Sequence, residues 1–307
     1  MLRQIALLEA AGKARTAETY EAAFKRFSEF LEGREIMFSQ MTPRLLSEFE
    51  DFLLLRHNCR NTTSFYMRIL RAVYNRGTGM VTTHFRNPFR NVYTGVDKTR
   101  KRAVPVSVIR SLKALDLTGN PELAKARDLF LFSFYTRGMS FIDMAYLRRK
   151  DLQGTELCYK RRKTGQMLRI HWEPEMQAIV DRYPARPDGF MLPILDDPTE
   201  SPQAVPPCTC PRQEKARAAY LRQKYKNAIL HTNRALAQVS DLLHLQAPLT
   251  TYVARHSWAS IAYSRNVPMH VISEAMGHGS ERTTRIYLAS LSNSGVNRAN
   301  KKIINLL

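Results

Sequence analysis

The 307-residue sequence has few cysteines, no long hydrophobic segment and comparatively little negative charge. Four cysteines are too few for a disulfide scaffold, which is typical of proteins in a reducing compartment. No apolar run approaches the roughly 18 to 20 residues that a membrane-spanning helix needs. An apolar patch near the N-terminus is interrupted by Glu9 and no small-residue cleavage site follows it, so we expect no signal peptide. These absences predict a cytoplasmic protein without a membrane partner.

The excess of basic residues is the strongest feature of the composition. Lysine and arginine number 47 against 27 aspartate and glutamate residues, which gives a net charge of +20. Such a charge repels itself unless a polyanion is bound, and nucleic acid is the first candidate because phosphate neutralisation releases counterions. Ribosomal-type and membrane-surface proteins usually carry their charge in tails, whereas here it runs through patterned segments. The 44% apolar content excludes wholesale disorder, and the length suits about two domains.

The hydrophobic pattern predicts a helical first domain and a basic linker. Residues 1–95 contain short amphipathic helices with start signals at Thr16, Thr42-Pro43 and Asn61. Helices of this length are expected to pack together as one small bundle, because they are too short to be stable alone. Residues 96–104 are basic and have no apolar period, which is typical of a linker.

The second domain, residues 105–307, mixes helices with a small hairpin. Helices are predicted from Ser107 and from Asn120-Pro121, and residues 156–161 and 167–172 resemble two strands joined by a short turn. The Pro-rich segment 184–211 is predicted to be a loop. Its Cys208 and Cys210 lack a second pair at metal-binding spacing, so no metal is expected. The predicted fold class is mainly α with a small antiparallel β-sheet, the second domain being α+β.

Three short motifs near the C-terminus carry side chains suited to phosphate chemistry. They are Tyr-Val-Ala-Arg-His-Ser-Trp at 252–258, Met-Gly-His-Gly at 276–279 and Thr-Thr-Arg-Ile-Tyr at 283–287. Taken singly, Arg255 reads as a surface or helix-end charge, His278 as a helix-terminal histidine and Tyr287 as a core aromatic residue. Together, His278 follows Arg255 by 23 residues and Tyr287 follows His278 by nine. This order and spacing resembles that of the tyrosine recombinases, the phage integrase family.

The resemblance extends upstream and covers nearly the whole chain. Lys163 in the predicted hairpin is similar to the hairpin lysine of the family, and Arg137 lies in a segment similar to the one that holds the first catalytic arginine. The resemblance implies a helical core-binding domain that clasps DNA in residues 1–95. It implies a catalytic domain with a C-terminal tail in residues 105–307. The patterns RGMS at 137–140 and YVARH at 252–256 resemble those of a bacterial subfamily.

The resemblance implies DNA strand transfer without metal, ATP or any other cofactor. Tyr287 would attack phosphorus and form a 3′-phosphotyrosyl link, while Arg137 and Arg255 hold the phosphate. Lys163 would protonate the leaving 5′ oxygen, and His278 would hydrogen-bond the phosphate. The implied partner is double-stranded DNA with paired recombination sites in the bacterial nucleoid. A homotetramer would act on this DNA through a Holliday junction, giving inversion, integration or excision, and the free chain would be a monomer or weak oligomer.

Two positions depart from the pattern of the family. Ser140 stands where most members have the first arginine, and Arg137 precedes it by three residues. On a continuous helix these positions would lie about 60° apart, so we assign the arginine role to Arg137 and a supporting hydrogen bond to Ser140. Tyr252 stands where a histidine is usual, and we keep it in the active site because its hydroxyl is also a donor. Further residues predicted to contact DNA are Arg68, Arg71, Lys98, Arg100, Lys101 and Arg102.

Two other functions remain open at this point. A type IB topoisomerase has the same chemistry but acts as a monomer. A non-catalytic DNA-binding regulator derived from a recombinase would fit the charge together with the altered Ser140 and Tyr252.

Overall fold

The computed structural model of the chain describes residues 1–79, 87–97, 103–184, 189–195 and 211–288, apart from the side chains of 211–215, 282 and 286–288. The chain divides into two units, Met1–Thr99 and Arg100–Leu307. The division falls inside the segment 96–104 that the sequence predicts as a linker, and the domain bounds themselves remain a prediction. The expectations for most of the Pro-rich loop, for its two cysteines, for the C-terminal tail and for four basic residues concern positions outside the described residues. Those four are Lys98, Arg100, Lys101 and Arg102.

The described part of the first unit contains four α-helices. They are α1 (Leu2–Ala10), α2 (Ala14–Phe30), α3 (Pro43–Leu55) and α4 (Arg60–Thr78). Helix α3 begins where the sequence predicts, because the Thr42 side chain accepts a hydrogen bond from the Leu45 amide. The predicted start of α2 at Thr16 is wrong, since the helix begins two residues earlier. Short 3-10 turns lie at Phe38–Gln40, between α2 and α3, and at Pro88–Asn91, after α4.

An aromatic core holds these helices together. Leu46, Phe49 and Leu53 of α3 are fully buried and share one face of the helix, as the spacing of apolar residues predicts. The Phe49 ring packs edge-on against Phe27 of α2, with ring centres 5.0 Å apart. The unit is therefore a small bundle with its own hydrophobic core.

The second unit contains the remaining elements. Its helices are α5 (Val106–Ala114), α6 (Pro121–Tyr135), α7 (Phe141–Ala145), α8 (Pro174–Val180), α9 (Pro211–Leu242), α10 (Thr251–Ser264), α11 (Met269–Ala275) and α12 (Glu281–Leu288). The strands β1 (Leu152–Gln153), β2 (Glu156–Lys160) and β3 (Met167–His171) form an antiparallel sheet in that order, preceded by a 3-10 turn at Arg149–Asp151. Mainly helical structure with one small antiparallel sheet confirms the predicted fold class.

Helix α6 forms the centre of the second unit. Asn120 caps it by accepting a hydrogen bond from the Leu123 amide, as its Asn-Pro start predicts. Its residues Leu129–Phe132 are buried all round, which is the pattern of a helix inside a core rather than on a surface. Helices α9 and α10 pack against it. The C-terminal end of α6 and the neighbouring α10 are thus held by packing in the hydrophobic core. Among the described helices, none has the length and apolarity needed to cross a bilayer.

Candidate active site

Arg255 of α10 connects two segments that are far apart in the sequence. The residue is 4% exposed, and its guanidinium donates hydrogen bonds to the carbonyl oxygens of Gly138 and Met276, both at 2.7 Å. The same Nη2 atom lies 3.0 Å from Nε2 of His278. A single buried cation therefore joins the loop after α6 to the turn after α11. Two of the sequence motifs and the Arg137 segment meet at this point.

The loop between α6 and α7 has the backbone shape that lets Arg255 approach. Arg137 and Gly138 both have positive φ, 59° and 75°. A Cβ on Gly138 would lie 2.7 Å from the Arg255 Cα, so only glycine permits this packing. Arg137 and Ser140 do not share a continuous helix, contrary to the geometry assumed from the sequence, because α6 ends at Tyr135 and α7 begins after Ser140.

His278 is held by a turn of defined geometry. After α11, the Gly277 amide donates to the Glu274 carbonyl and the His278 amide donates to the Ser273 carbonyl, which is a Schellman motif. Gly277 has a φ of 62°, as the motif requires. A Cβ there would lie 2.8 Å from Cδ of Arg161, so the turn also packs tightly against the hairpin.

The ring of His278 is neutral at physiological pH. Burial lowers its pKa to about 4, with further lowering from the positive charges of Arg255, Arg161 and Lys163. A guanidinium has no acceptor atom, so Nε2 of the neutral ring accepts from Arg255. The proton is then on Nδ1, which donates to Oγ1 of Thr284 at 2.8 Å.

The hairpin between β2 and β3 supplies two further cations. Lys163 lies in its exposed turn, which is closed by backbone hydrogen bonds between Arg161 and both Gly165 and Gln166. Arg161, at the base of the turn, is 6% exposed and its Nη1 donates to the Gly277 carbonyl. The Lys163 charge is close enough to His278 to lower its pKa. The hairpin thus lies against the same turn that Arg255 contacts.

Asp143 of α7 is the carboxylate of this site and is 3% exposed. One of its oxygens accepts from the Ser140 hydroxyl at 2.5 Å, and the other accepts from the Arg162 amide at 2.8 Å. Its Oδ2 also lies 3.8 Å from Nε of Arg161. The Ser140 hydroxyl, predicted to support the phosphate, donates to Asp143 in this structure.

Arg137 lies at the outer side of the cluster. Its side chain is partly exposed, and its Nη1 donates to the Arg169 carbonyl of β3 at 3.3 Å. Burial raises the pKa of the Tyr159 hydroxyl, which also interacts with the charges of Asp143, Arg255, Arg161 and Arg137. Four segments of the chain therefore place charged groups around one small volume.

Two family models match the chain. One is the phage integrase SAM-like domain, at residues 3–82, and the other is the phage integrase family, at residues 215–294. Together they cover slightly more than half of the chain. The second match contains Arg255, His278 and Tyr287. The chain belongs to the phage integrase family of tyrosine recombinases.

Solved structures of such enzymes have the same fold at low sequence identity. A lambda integrase dimer bound to a COC′ core site is 13% identical, with a TM-score of 0.61 over 93% of this chain and 92% of that chain. XerH site-specific recombinase bound to a difH substrate is 14% identical, with a TM-score of 0.64 over 93% of this chain and 79% of that chain. The Tn1549 transposon integrase in complex with a circular intermediate DNA is 13% identical, with a TM-score of 0.60 over 92% of this chain and 93% of that chain. No curated protein sequence is matched.

The predicted nucleophile of this tyrosine recombinase lies on α12. The buried Thr284 of that helix contacts the His278 ring, as described above. Tyr287 follows Thr284 by three residues, within one helical turn, although its side chain is outside the described atoms. The backbone of α12 is thereby anchored beside the cluster.

Tyr252 lies in the first turn of α10, one turn before the buried His256. Its side chain is 52% exposed, and its ring packs edge-on against His256 with ring centres 4.5 Å apart. It lies on the same helix as Arg255, three residues before it. Its catalytic role stays a prediction.

Two of the residues predicted to contact DNA lie on α4 of the first unit. Arg71 donates to the Thr94 hydroxyl at 2.8 Å, and Arg68 donates to the Ser64 carbonyl at 3.4 Å. Both side chains are partly buried. Their contact with DNA likewise stays a prediction.

Sequence reasoning missed Arg161, Asp143 and Thr284. For Arg161 a signal was present, since buried and less buried residues alternate along β2 with Leu157 and Tyr159 inward. Continuing the alternation by one step places Arg161 on the inward face. For Asp143 a local signal was also present, since it follows Ser140, the N-cap residue of α7, by three residues. The partner of Thr284 comes from another segment, so no local pattern indicates that residue.

Proposed function

We propose that this protein is a site-specific DNA recombinase that cleaves and rejoins DNA strands through a covalent bond to Tyr287. The observation that carries the proposal is the convergence on Arg255. One guanidinium bonds the Gly138 carbonyl beside Arg137, the Met276 carbonyl and the His278 ring. The hairpin with Lys163 packs on the same turn, and such a group of cations is suited to a phosphodiester.

The proposed cleavage step uses residues of this chain alone. The phenolic oxygen of Tyr287 gives up its proton to solvent water and bonds to phosphorus, while the bond from phosphorus to the 5′ oxygen breaks. Arg137 and Arg255 neutralise the negative charge that gathers on the non-bridging oxygens. His278 donates a hydrogen bond to one of them once the ring proton is on Nε2, with Nδ1 then accepting from the Thr284 hydroxyl. Lys163, on the hairpin turn, donates a proton to the leaving 5′ oxygen.

The rejoining step is the reverse reaction with a different strand. A 5′ hydroxyl from a partner duplex attacks the phosphotyrosyl bond and releases Tyr287. The number of phosphodiester bonds is unchanged, so no ATP is needed. Exchange of one strand pair gives a Holliday junction.

Four copies of the chain and two DNA sites are proposed to form the active assembly. A lambda integrase of the same fold, with a TM-score of 0.62 and 12% identity, forms a tetramer bound to a Holliday junction. Each copy would bring one Tyr287 to one strand, and the basic helix α4 would contact the DNA backbone. A mass measurement on the DNA complex tests this stoichiometry.

Covalent capture tests the recombinase proposal. The full-length protein is incubated with sheared genomic DNA of its source, denatured with detergent, and the protein-linked DNA is sequenced. We expect a defined sequence linked through its 3′ end in the wild type and no adduct in Tyr287→Phe. Tyr263→Phe, a change at a partly exposed tyrosine of α10, is the matched control and should form the adduct normally.

Each of the other two functions predicts a different experimental result. A type IB topoisomerase would relax supercoiled plasmids that contain none of the captured sequence. A DNA-binding regulator would form no covalent adduct, and it would instead enrich a defined sequence when the protein is recovered from sheared DNA without denaturation. An adduct that persists in Tyr287→Phe would show that the nucleophile is a different residue.

A further inference from the structure

Arg161 is a buried guanidinium that the proposed mechanism does not use. It is 6% exposed, and within the described residues its hydrogen-bonding groups meet one acceptor, the carbonyl of Gly277. Its Nε is buried without a hydrogen-bond partner there. A guanidinium carries five N–H groups, and leaving them unsatisfied in the interior is costly. A ligand with several acceptor oxygens would remove that cost.

The charges around Arg161 leave it incompletely neutralised. The nearest described carboxylate is Asp143, whose Oδ2 lies 3.8 Å from Nε and already accepts from Ser140. The other oxygen of Asp143 accepts a backbone amide. Arg255 and Lys163 add two positive charges close by, and their combined field with Arg161 lowers the pKa of His278. The cluster therefore carries an excess of positive charge that an anion would balance.

The position of Arg161 also matches that of Arg255. The two guanidinium groups donate to consecutive carbonyls, those of Gly277 and Met276, at the turn that presents His278. They therefore flank the same turn from the hairpin side and from the α10 side. Arg137, in contrast, is partly exposed and donates to a carbonyl of β3.

We infer that Arg161 binds the phosphate that is cleaved, as a third arginine of the site beside Arg137 and Arg255. The inference rests on the proposed recombinase function. It assigns to a hairpin residue the positive charge that the neutral Ser140 cannot supply, and the Ser140 hydroxyl itself donates to Asp143. The ligand class is a phosphodiester or, in its simplest form, inorganic phosphate.

Phosphate binding tests the inference without any DNA. The His278 ring signals, assigned with His278→Gln, are followed by NMR as inorganic phosphate is added to the full-length protein. Losing a charge-assisted contact should raise the phosphate dissociation constant about tenfold in Arg161→Gln. Arg162→Gln is the matched control, because Arg162 is exposed and stacks on Tyr146 at 3.9 Å, and it should bind within about twofold of the wild type.

A folding defect is separated from a binding defect by a second variant. Arg161→Lys keeps the charge but loses the planar fork, and we expect a smaller but measurable loss of phosphate affinity. Tryptophan fluorescence of each variant reports whether the second unit is folded. Wild-type phosphate affinity in a folded Arg161→Gln or Arg161→Lys would overturn the inference.

Cleavage of the captured DNA sequence distinguishes a catalytic from a positioning role. On a nicked duplex, Arg161→Gln should cleave about 100-fold more slowly than Arg162→Gln. A neutral methylphosphonate at the cleaved position needs less neutralisation, so the deficit should shrink about tenfold or more. An undiminished deficit would assign a positioning role and overturn the inference. If the wild type forms no adduct, the recombinase proposal fails, and the phosphate titration still decides the role of Arg161.

Discussion

The neutral His278 ring makes the stability of the second unit depend on pH. Its pKa is about 4 in the folded protein against 6.5 for an unperturbed histidine. The unfolded chain therefore binds more protons than the folded chain as the pH falls from 6.5 towards 4. Stability is fully present above pH 6.5 and is lost as the pH falls through this window.

The expected magnitude follows from these two pKa values. At pH 5 the unfolded ring is almost fully protonated and the folded ring is mostly neutral, which corresponds to about 2 kcal/mol. Below pH 4 the full difference is about 3 kcal/mol. The cause is burial together with the charges of Arg255, Arg161 and Lys163, so no surface histidine should give an effect of this size.

Urea unfolding without DNA measures this linkage. Both tryptophans of the chain, Trp172 and Trp258, lie in the second unit, so their fluorescence reports on that unit alone. The free energy of unfolding is measured at pH 7.5 and pH 5 for the wild type and for His278→Gln, whose amide does not titrate. The wild type should lose about 2 kcal/mol more than the variant. Equal losses, or a ring that titrates near its unperturbed pKa by NMR, would refute the reasoning.

Three further substitutions test individual contacts. Gly138→Ala places a Cβ 2.7 Å from the Arg255 Cα, so we expect about 2 kcal/mol lower stability and loss of the covalent adduct. Gly154→Ala is the control, because Gly154 also has a positive φ, 60°, but has open space around it, and this variant should retain the adduct. Asp128→Asn should lower the free energy of unfolding by about 3 kcal/mol in the same urea assay, because the buried carboxylate accepts from two guanidinium groups and a tyrosine hydroxyl. The His278 ring signals should stay unchanged in this variant. Thr42→Ala should cost about 1 kcal/mol at the start of α3, visible as faster hydrogen exchange of the amides in that helix.

The elements that the sequence predicts well are those defined by local contacts. Thr42 and Asn120 cap their helices because the acceptor and the amide are three residues apart. At Thr16 the same local signal fails, since α2 extends back to Ala14 and packs Ala17 in the core of the bundle. The first turn of α2 is closed instead by the amides of Thr16 and Ala17, which both donate to the Lys13 carbonyl.

The site is predicted only as far as its motifs reach. The order of Arg255, His278 and Tyr287 is readable in the sequence, and it identifies the family. The loop shape at Arg137 is not readable, because it depends on contact between Gly138 and a residue 117 positions later. Arg161 was overlooked because an arginine next to a turn usually reads as a solvated charge, although its place in the alternation of β2 points inward.

The way in which the arginines are held explains how the site stays ready for an anion. Arg255 donates to the carbonyls of Gly138 and Met276, and Arg161 donates to that of Gly277. Met276 and Gly277 close the C-terminal end of α11, where backbone carbonyls have no partner within the helix and the helix dipole is negative. These dipoles orient the guanidinium groups and offset part of their burial cost without cancelling their charge. A carboxylate in the place of these carbonyls would neutralise the guanidinium groups, whereas Asp143, 3.8 Å from Nε of Arg161, supplies one negative charge against the positive charges of Arg161, Arg255 and Lys163. The guanidinium groups therefore retain a net positive charge at the position where we propose that phosphate binds.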